Sequence, residues 1–339
     1  MAQNILIIGF GTVGQGLCSI LNKKKQYLAE KYDFSPRVVG IADLKYGTVF
    51  HENGLDTKTL INEIREHGAF TSHISNQKTM ELIKNPAIDT VCELSYTNLE
   101  TGLPAVDFCK TALEYCKHVA TTNKGPAAII YHELKEIADL NKVQFRIEGT
   151  VMSGTPVLNL IEGPLAGCSF SKMEGILNGT TNFILSQMEN GLSFDKAMKK
   201  AQELGYAEAD PSGDVDGYDA RAKVTILANI MMDAKIPLKK VTVEGIRNIS
   251  AAEIDKAKEK DMRWKLLGCI VRKGNDVEAF VKPVMLPSEH PLYHVSGAVN
   301  ALTITTDLLG KVTITGSGAG KTETGYAVLN DLIAIHRNS

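Results

Sequence analysis

Five acidic side chains crowd the stretch GYAEADPSGDVDGYDARAKVTIL, residues 205–227: Glu208, Asp210, Asp214, Asp216 and Asp219. Lys223 follows Asp219 by four positions, so on a helix the two share a face, with Val224, Ile226 and Leu227 beside them. A lysine held by a carboxylate in a cleft can donate or relay a proton to a carbonyl that is being reduced by hydride. The same spacing also builds an ordinary surface ion pair, and spacing alone does not choose between them. A calcium loop fails, because its obligatory glycine would fall on Val215 if Asp210 began it. A solvated acidic turn ahead of a helix is the plain structural alternative.

A second chemistry is written in glycines. In ILIIGFGTVGQGL, Gly9, Gly11 and Gly14 follow an apolar strand, and Thr12 and Val13 open a helical pattern. The first glycine permits a tight turn, the second lets a pyrophosphate approach the backbone, and the third lets helix and strand pack closely. Free N–H groups at the helix start would hold the anion. The next strand, VVGIAD, ends at Asp43, where a carboxylate would bond an adenosine ribose. It lies further on than the usual ~20 residues because the first helix is long. With Arg37, Lys45 and Tyr46 close by, NAD and NADP both remain open as cofactors. Near the other end, ITGSGAGKTETG, residues 314–325, imitates a nucleotide-triphosphate phosphate loop. Gly320, Lys321 and Thr322 fit G-x-x-x-x-G-K-[ST], but the first glycine position falls on Thr315.

These groups must be positioned by ordinary globular elements. The chain has 339 residues, 44% hydrophobic and 22% charged, with a formal net charge of −2. That length allows two cores, and that charge argues against a nucleic-acid partner. The start reads as a strand, with neither a signal peptide nor a membrane span, and a cytoplasmic location is expected. Six cysteines show no C-x-x-C spacing, so reduced and mostly buried thiols are expected. Apolar runs ending in Phe10, Asp43, Ser95, Asn123 and Gly149 alternate with helical patterns, which predicts an α/β fold with a doubly wound parallel sheet. Helical patterns dominate from Pro156 to Lys235, and β-rich runs follow Ile254.

Taken in order, the glycine fingerprint, TTNKGP at 121–126, GILNGTTNFIL at 175–185, EADPSGDVDGYDARAK at 208–223 and GSGAG at 316–320 resemble the homoserine dehydrogenases over nearly the whole chain. The resemblance implies NAD(P)-dependent interconversion of L-homoserine and L-aspartate 4-semialdehyde, in threonine and methionine biosynthesis. It implies a Rossmann-type dinucleotide domain, residues 1–149 with 318–339. An α+β domain, residues 150–317, would serve substrate binding, catalysis and dimerisation, in a homodimer or a dimer of dimers. By the same resemblance, Lys223 and Lys124 flank the substrate oxygen and Asp219 stands beside Lys223. Gly179, Thr180, Tyr206, Glu208 and Asp214 hold the charged ends of the amino acid. EGTVMSGTP resembles the family's loop for sodium or potassium, with Glu148 and the carbonyls of Val151, Ser153 and Thr155 as ligands. GSGAG, Gly318 included, brings small residues against the cofactor. Two departures stand out: Ser212-Gly213 replaces the arginine often found after the Asp-Pro of the acidic loop, and threonine feedback through a C-terminal regulatory module is not expected. A thiohemiacetal-forming semialdehyde dehydrogenase and a non-catalytic redox sensor are the competing readings; the first needs an activated cysteine.

Overall fold

The computed structural model describes residues 3–338. The chain divides into two units, residues 1–154 with 320–339 and residues 155–319. The divisions expected at 149/150 and 317/318 thus fall a few residues later in each case.

The first unit runs β1 (Asn4–Ile8), α1 (Thr12–Tyr32), β2 (Arg37–Asp43), β3 (Gly47–Phe50), α2 (Thr57–His67), α3 (Thr79–Ile83), β4 (Thr90–Glu93), α4 (Ala105–Glu114), β5 (His118–Thr121), α5 (Lys124–Ile129), α6 (Tyr131–Leu140) and β6 (Phe145–Arg146). Its six strands lie in the order β3-β2-β1-β4-β5-β6. Ile5, Leu6 and Ile7 of the central β1 are fully buried, as befits a strand covered on both faces. All pairings are parallel except β2 with β3, a hairpin that closes one edge antiparallel. The parallel sheet expected from the sequence is present, with β3 added at one edge as an antiparallel strand: four residues of Gly-Thr-Val-Phe are too short to announce themselves in sequence. The sheet is Rossmann-type. Strand order reverses between β1 and β4, and the crevice beyond their carboxyl ends is where such sheets bind ligands.

The second unit contains β7 (Phe170–Ile176), α7 (Gly179–Glu189), α8 (Phe194–Glu203), α9 (Ser212–Val215), α10 (Tyr218–Met231), β8 (Thr242–Val243), α11 (Ala251–Glu259), β9 (Met262–Lys273), β10 (Asp276–Pro287), β11 (Val299–Thr306) and β12 (Gly310–Ser317). The sheet order is β12-β11-β7-β9-β10-β8. Helical patterns dominate the sequence from Pro156 to Lys235, yet β7 lies within that stretch and is a central strand. Seven residues of mixed polarity, FSKMEGI, become strand because β11 and β9 pair with them on either side. The chain then returns in α12 (Lys321–Arg337) to the first unit. Val328, Leu329, Leu332 and Ile335 of α12 join Leu17 of α1 and Ile5 and Ile7 of β1 in one core.

Candidate active site

The fingerprint turn is built from backbone. Gly9 has φ +90°, and a Cβ there would fall 2.5 Å from Leu94 O, so the turn closes only on glycine. A Cβ on Gly14 would strike Gly9 O at 2.6 Å, whereas one on Gly11 would meet no atom within 4 Å. Helix α1 then begins at Thr12 without a side-chain cap and with no acid in its first turn. Its leading N–H groups are therefore donors for an outside anion, and Val13 is half-buried beside them. Asp43 braces the turn: its carboxylate accepts from Phe10 N at 2.7 Å, Lys45 N at 2.8 Å and Tyr46 N at 3.0 Å.

Lys124 is the first residue of α5, at the carboxyl end of β5. Asn123 caps that helix through Gly125 N at 2.9 Å and donates to Ser95 O and Tyr96 O. Beneath them lies Glu93, a fully buried carboxylate that the sequence reading passed over. It accepts from Ser95 N, Ser95 Oγ and Thr121 Oγ1, joining the ends of β4 and β5. Burial pushes its carboxyl above the usual range, against those donors. A charged residue ending the apolar run TVCE was the available signal, since buried carboxylates persist only where partners wait.

Glu148 is buried, and its N–H donates to Asp331 Oδ2 at 3.0 Å. Val151 and Ser153 follow in a turn where Met152 and Ser153 take φ near +55°; the Ser153 and Thr324 hydroxyls lie 2.7 Å apart. Thr155 belongs to the second unit, where its hydroxyl donates to Ser317 O at 3.1 Å.

In the second unit the acidic loop and α10 do come together with the start of α7. Lys223, only 7% exposed, donates to Asp219 Oδ2 at 2.6 Å and to Leu177 O at 2.8 Å. An ammonium this buried persists because both contacts compensate its lost hydration. The surface ion-pair alternative is thereby removed. Asn178, absent from the sequence-derived set, organises the group. Its Oδ1 caps α7 through Thr181 N, while its Nδ2 donates to Asp214 Oδ1 at 2.6 Å and Asp219 Oδ2 at 3.0 Å. Asn ahead of Gly-Thr-Thr is a helix-cap signature that could have revealed it. Burial, above all, raises the Asp214 carboxyl above its usual range, and neighbouring Asp219 adds to the effect. Gly179 and Thr180 form the first turn of α7, and Thr180 Oγ1 donates to Tyr206 O at 2.6 Å. The Tyr206 ring stands 5.0 Å from that of Phe183. Glu208 is exposed nearby in sequence, with its carbonyl accepting from Gln202. The site thus offers a helix N-terminus for a carboxylate, acids for an ammonium and a buried lysine for an oxygen.

The phosphate-loop imitation resolves differently. Its strand, β12, edges the second sheet, and its helix, α12, belongs to the first unit. Glu323 places its carboxylate at the start of α12, where a Cβ on Gly320 would meet Oε2 at 2.0 Å. A negative charge already at that helix end opposes a phosphate. Gly318 passes directly over the side chain of Asn300.

The profile of the homoserine dehydrogenase family matches residues 156–333. An NAD(+)-dependent homoserine dehydrogenase of Pseudomonas canavaninivorans is 43% identical over 99% of this chain and 96% of its own length. A homoserine dehydrogenase of Methanocaldococcus jannaschii is 39% identical, covering 99% of each chain. Among solved structures, a hyperthermophilic archaeal homoserine dehydrogenase in complex with NADPH matches with a TM-score of 0.85 at 30% identity, over 100% of this chain and 99% of that one. With its Rossmann-type sheet and its Lys223–Asp219 pair in place, the chain belongs to the homoserine dehydrogenase family.

Proposed function

We propose that this protein catalyses the reversible NAD(P)-dependent interconversion of L-homoserine and L-aspartate 4-semialdehyde, as a step toward threonine and methionine. The observation that carries the reading is the buried Lys223, bonded to Asp219 and Leu177 O at the mouth of α7. In the proposal, the N–H groups of Gly179 and Thr180 take the α-carboxylate, while Asp214 and Glu208 take the α-ammonium, with Tyr206 beside them. Lys223 holds the γ-oxygen and moves its proton; Asp219 keeps the Lys223 side chain aimed. Lys124 is assigned to the same oxygen by the family resemblance.

The uncapped start of α1, with Gly9, Gly11, Thr12, Val13 and Gly14, fits a pyrophosphate, and Asp43 fits a ribose hydroxyl. NAD or NADP, when bound, accepts or returns the hydride. Glu148 with the carbonyls of Val151, Ser153 and Thr155 would hold a sodium or potassium ion. The buried carboxylate of Glu148 and the tight Met152–Ser153 turn support that donor set. The small-residue segment around Gly318 would lie against the cofactor. We further propose a homodimer or dimer of dimers in the cytoplasm. Among the described residues no helix is long and apolar enough to cross a membrane.

The thiohemiacetal alternative finds no activated thiol among the four buried cysteines. Burial pushes Cys18 and Cys269 up to about 12 and raises Cys92 and Cys109 further from thiolate, which is the nucleophilic form. Initial rates of NAD(P)H formation with L-homoserine, and of its consumption with the semialdehyde, test the proposal. Absence of turnover in both directions with both cofactors would reject it.

A further inference from the structure

Asn300 is the second residue of β11 and is wholly buried, yet among the described residues neither its Oδ1 nor its Nδ2 has a hydrogen-bonding partner. Folded proteins rarely leave both halves of a carboxamide unbonded in the interior, and such a group calls for a specific explanation. The backbone that carries it is firmly held. Asn182 Nδ2 donates to Val299 O at 3.2 Å, and the buried Lys265 donates to Val295 O at 2.6 Å and to Asn182 Oδ1 at 3.1 Å. Gly297 N donates to Ser186 Oγ at 3.1 Å. The segment leading into β11 is therefore tied to α7 directly at Gly297 and Val299, and at Val295 through Lys265 of β9.

That anchoring sets the amide beside the first turn of α7. A Cβ on Gly179 would come within 3.3 Å of Asn300 Oδ1. Gly318 runs against the same amide, where its Cβ would fall 2.2 Å from Oδ1, 2.3 Å from Cγ and 2.4 Å from Nδ2. Only glycine lets the chain cross the amide so closely.

We propose that Asn300 is a specificity-determining residue that reads the paired ammonium and carboxylate of the amino-acid substrate. The inference rests on the reading of the second unit as the amino-acid site. A carboxamide presents an acceptor and a donor side by side. An α-amino acid presents a cationic donor and an anionic acceptor on neighbouring atoms, so one ligand meets both unpaired groups. A simple carboxylate would leave Oδ1 facing negative charge, and a simple cation would leave Nδ2 unmet. The neighbouring groups supply both charges: the N-terminus of α7, whose Gly179 lies beside Oδ1, favours an anion, and Asp214, bonded to the α7 cap residue Asn178, favours a cation. Gly318 covers the amide and has no side chain to clear, so the Ser317–Gly320 segment shifts aside as the ligand enters.

The test compares the full-length native protein with Asn300→Ala and with Asn300→Leu, which keeps the volume and removes the polar atoms. Circular dichroism and thermal unfolding establish which variants fold. Binding of L-2-aminobutyrate, which carries both charged groups, and of 4-hydroxybutyrate, which lacks the ammonium, is measured by calorimetry. KM and kcat for L-homoserine and the Kd of NAD(P)H are measured alongside. We expect the aminobutyrate Kd and the homoserine KM to rise about tenfold or more in the variants, the scale for a site built to hydrogen-bond its ligand. 4-Hydroxybutyrate binding and the NAD(P)H Kd should stay within about twofold and kcat within about threefold, as for lost ground-state binding. Unchanged aminobutyrate binding in either folded variant overturns the proposal, as does a loss confined to NAD(P)H. A native protein that binds aminobutyrate through Asn300 but never oxidises homoserine would uphold Asn300 while sinking the catalytic reading.

Discussion

The turn after β1 and the cluster where α7 meets α10 are both built to receive charge, yet from opposite materials. The first uses backbone: bare N–H groups at the start of α1, and glycines that keep side chains out of the way. The second uses side chains: Lys223, Asp219, Asp214 and Asn178 satisfy one another at 2.6 to 3.0 Å. A backbone site depends on local φ and ψ, so consecutive residues encode it. A side-chain site assembled from 177–180, 214 and 219–223 exists only after the chain has folded. The turn is therefore expected to govern cofactor affinity and the cluster to govern turnover.

The largest effect should come from Lys223→Ala. Losing a positioned acid–base group should lower kcat by about a hundredfold or more, with NAD(P)H affinity, titrated separately, unchanged. Near-native turnover would remove Lys223 from the chemistry and erase the contrast between the two regions.

The same contrast explains what was legible beforehand. Gly9, Gly11 and Gly14 sit in six residues and announce themselves, and so does the i,i+4 pair Asp219–Lys223. Spacing could not tell that pair from a surface ion bridge; the decision lay in Leu177 O and in burial, which β7 and α7 supply. Strand β7 itself was hidden among helical patterns, because its identity comes from β9 and β11 on either side. Glu93 and Asn178 were on the page as letters, but their partners Thr121, Asp214 and Asp219 lie 28 to 41 positions away. The glycines of residues 316–320 are ambiguous in another way, since a glycine kept for a ligand and one kept for a neighbouring side chain look alike in sequence.

Two valine substitutions separate those uses of glycine. Gly11→Val adds its Cβ where no protein atom lies within 4 Å. It should leave stability nearly native and raise the Kd of NAD(P)H about tenfold or more, by holding the pyrophosphate off the backbone. Gly318→Val drives its Cβ into the Asn300 amide. Overpacking of that kind costs about 1–3 kcal/mol, which a shift in urea midpoint would register. The reverse pattern, with Gly11→Val unstable and Gly318→Val stable but cofactor-blind, would exchange the two assignments.

A smaller effect is expected at Asp43, where the two materials meet. Its carboxylate serves as a possible ribose ligand and also binds Phe10 N within the turn. Asp43→Ala should weaken NAD and NADP together, by about tenfold for the lost charged hydrogen bond. A further penalty should fall on NAD alone, since NADP carries a phosphate at the ribose position. Dissociation constants for both cofactors decide it. Equal weakening would leave Asp43 only the brace.

The smallest effect is one of pH, and it should appear in the side-chain site alone. The backbone N–H groups of α1 do not titrate, whereas Asp214 must be ionised to hold an ammonium. Burial and the nearby Asp219 raise its carboxyl above the ordinary value of 3.8. The sign follows: the carboxylate exists above the raised pKa and is lost as pH falls through it. That loss comes at a higher pH than for an exposed aspartate. The homoserine KM should therefore climb on the acid side, starting above pH 3.8, while NAD(P)H affinity measured over the same range stays flat. Asp214→Asn should raise the KM modestly at neutral pH and abolish the acid climb, because the amide has nothing to protonate. Persistence of the full climb in Asp214→Asn would assign it to another group and leave Asp214 a structural partner of Asn178.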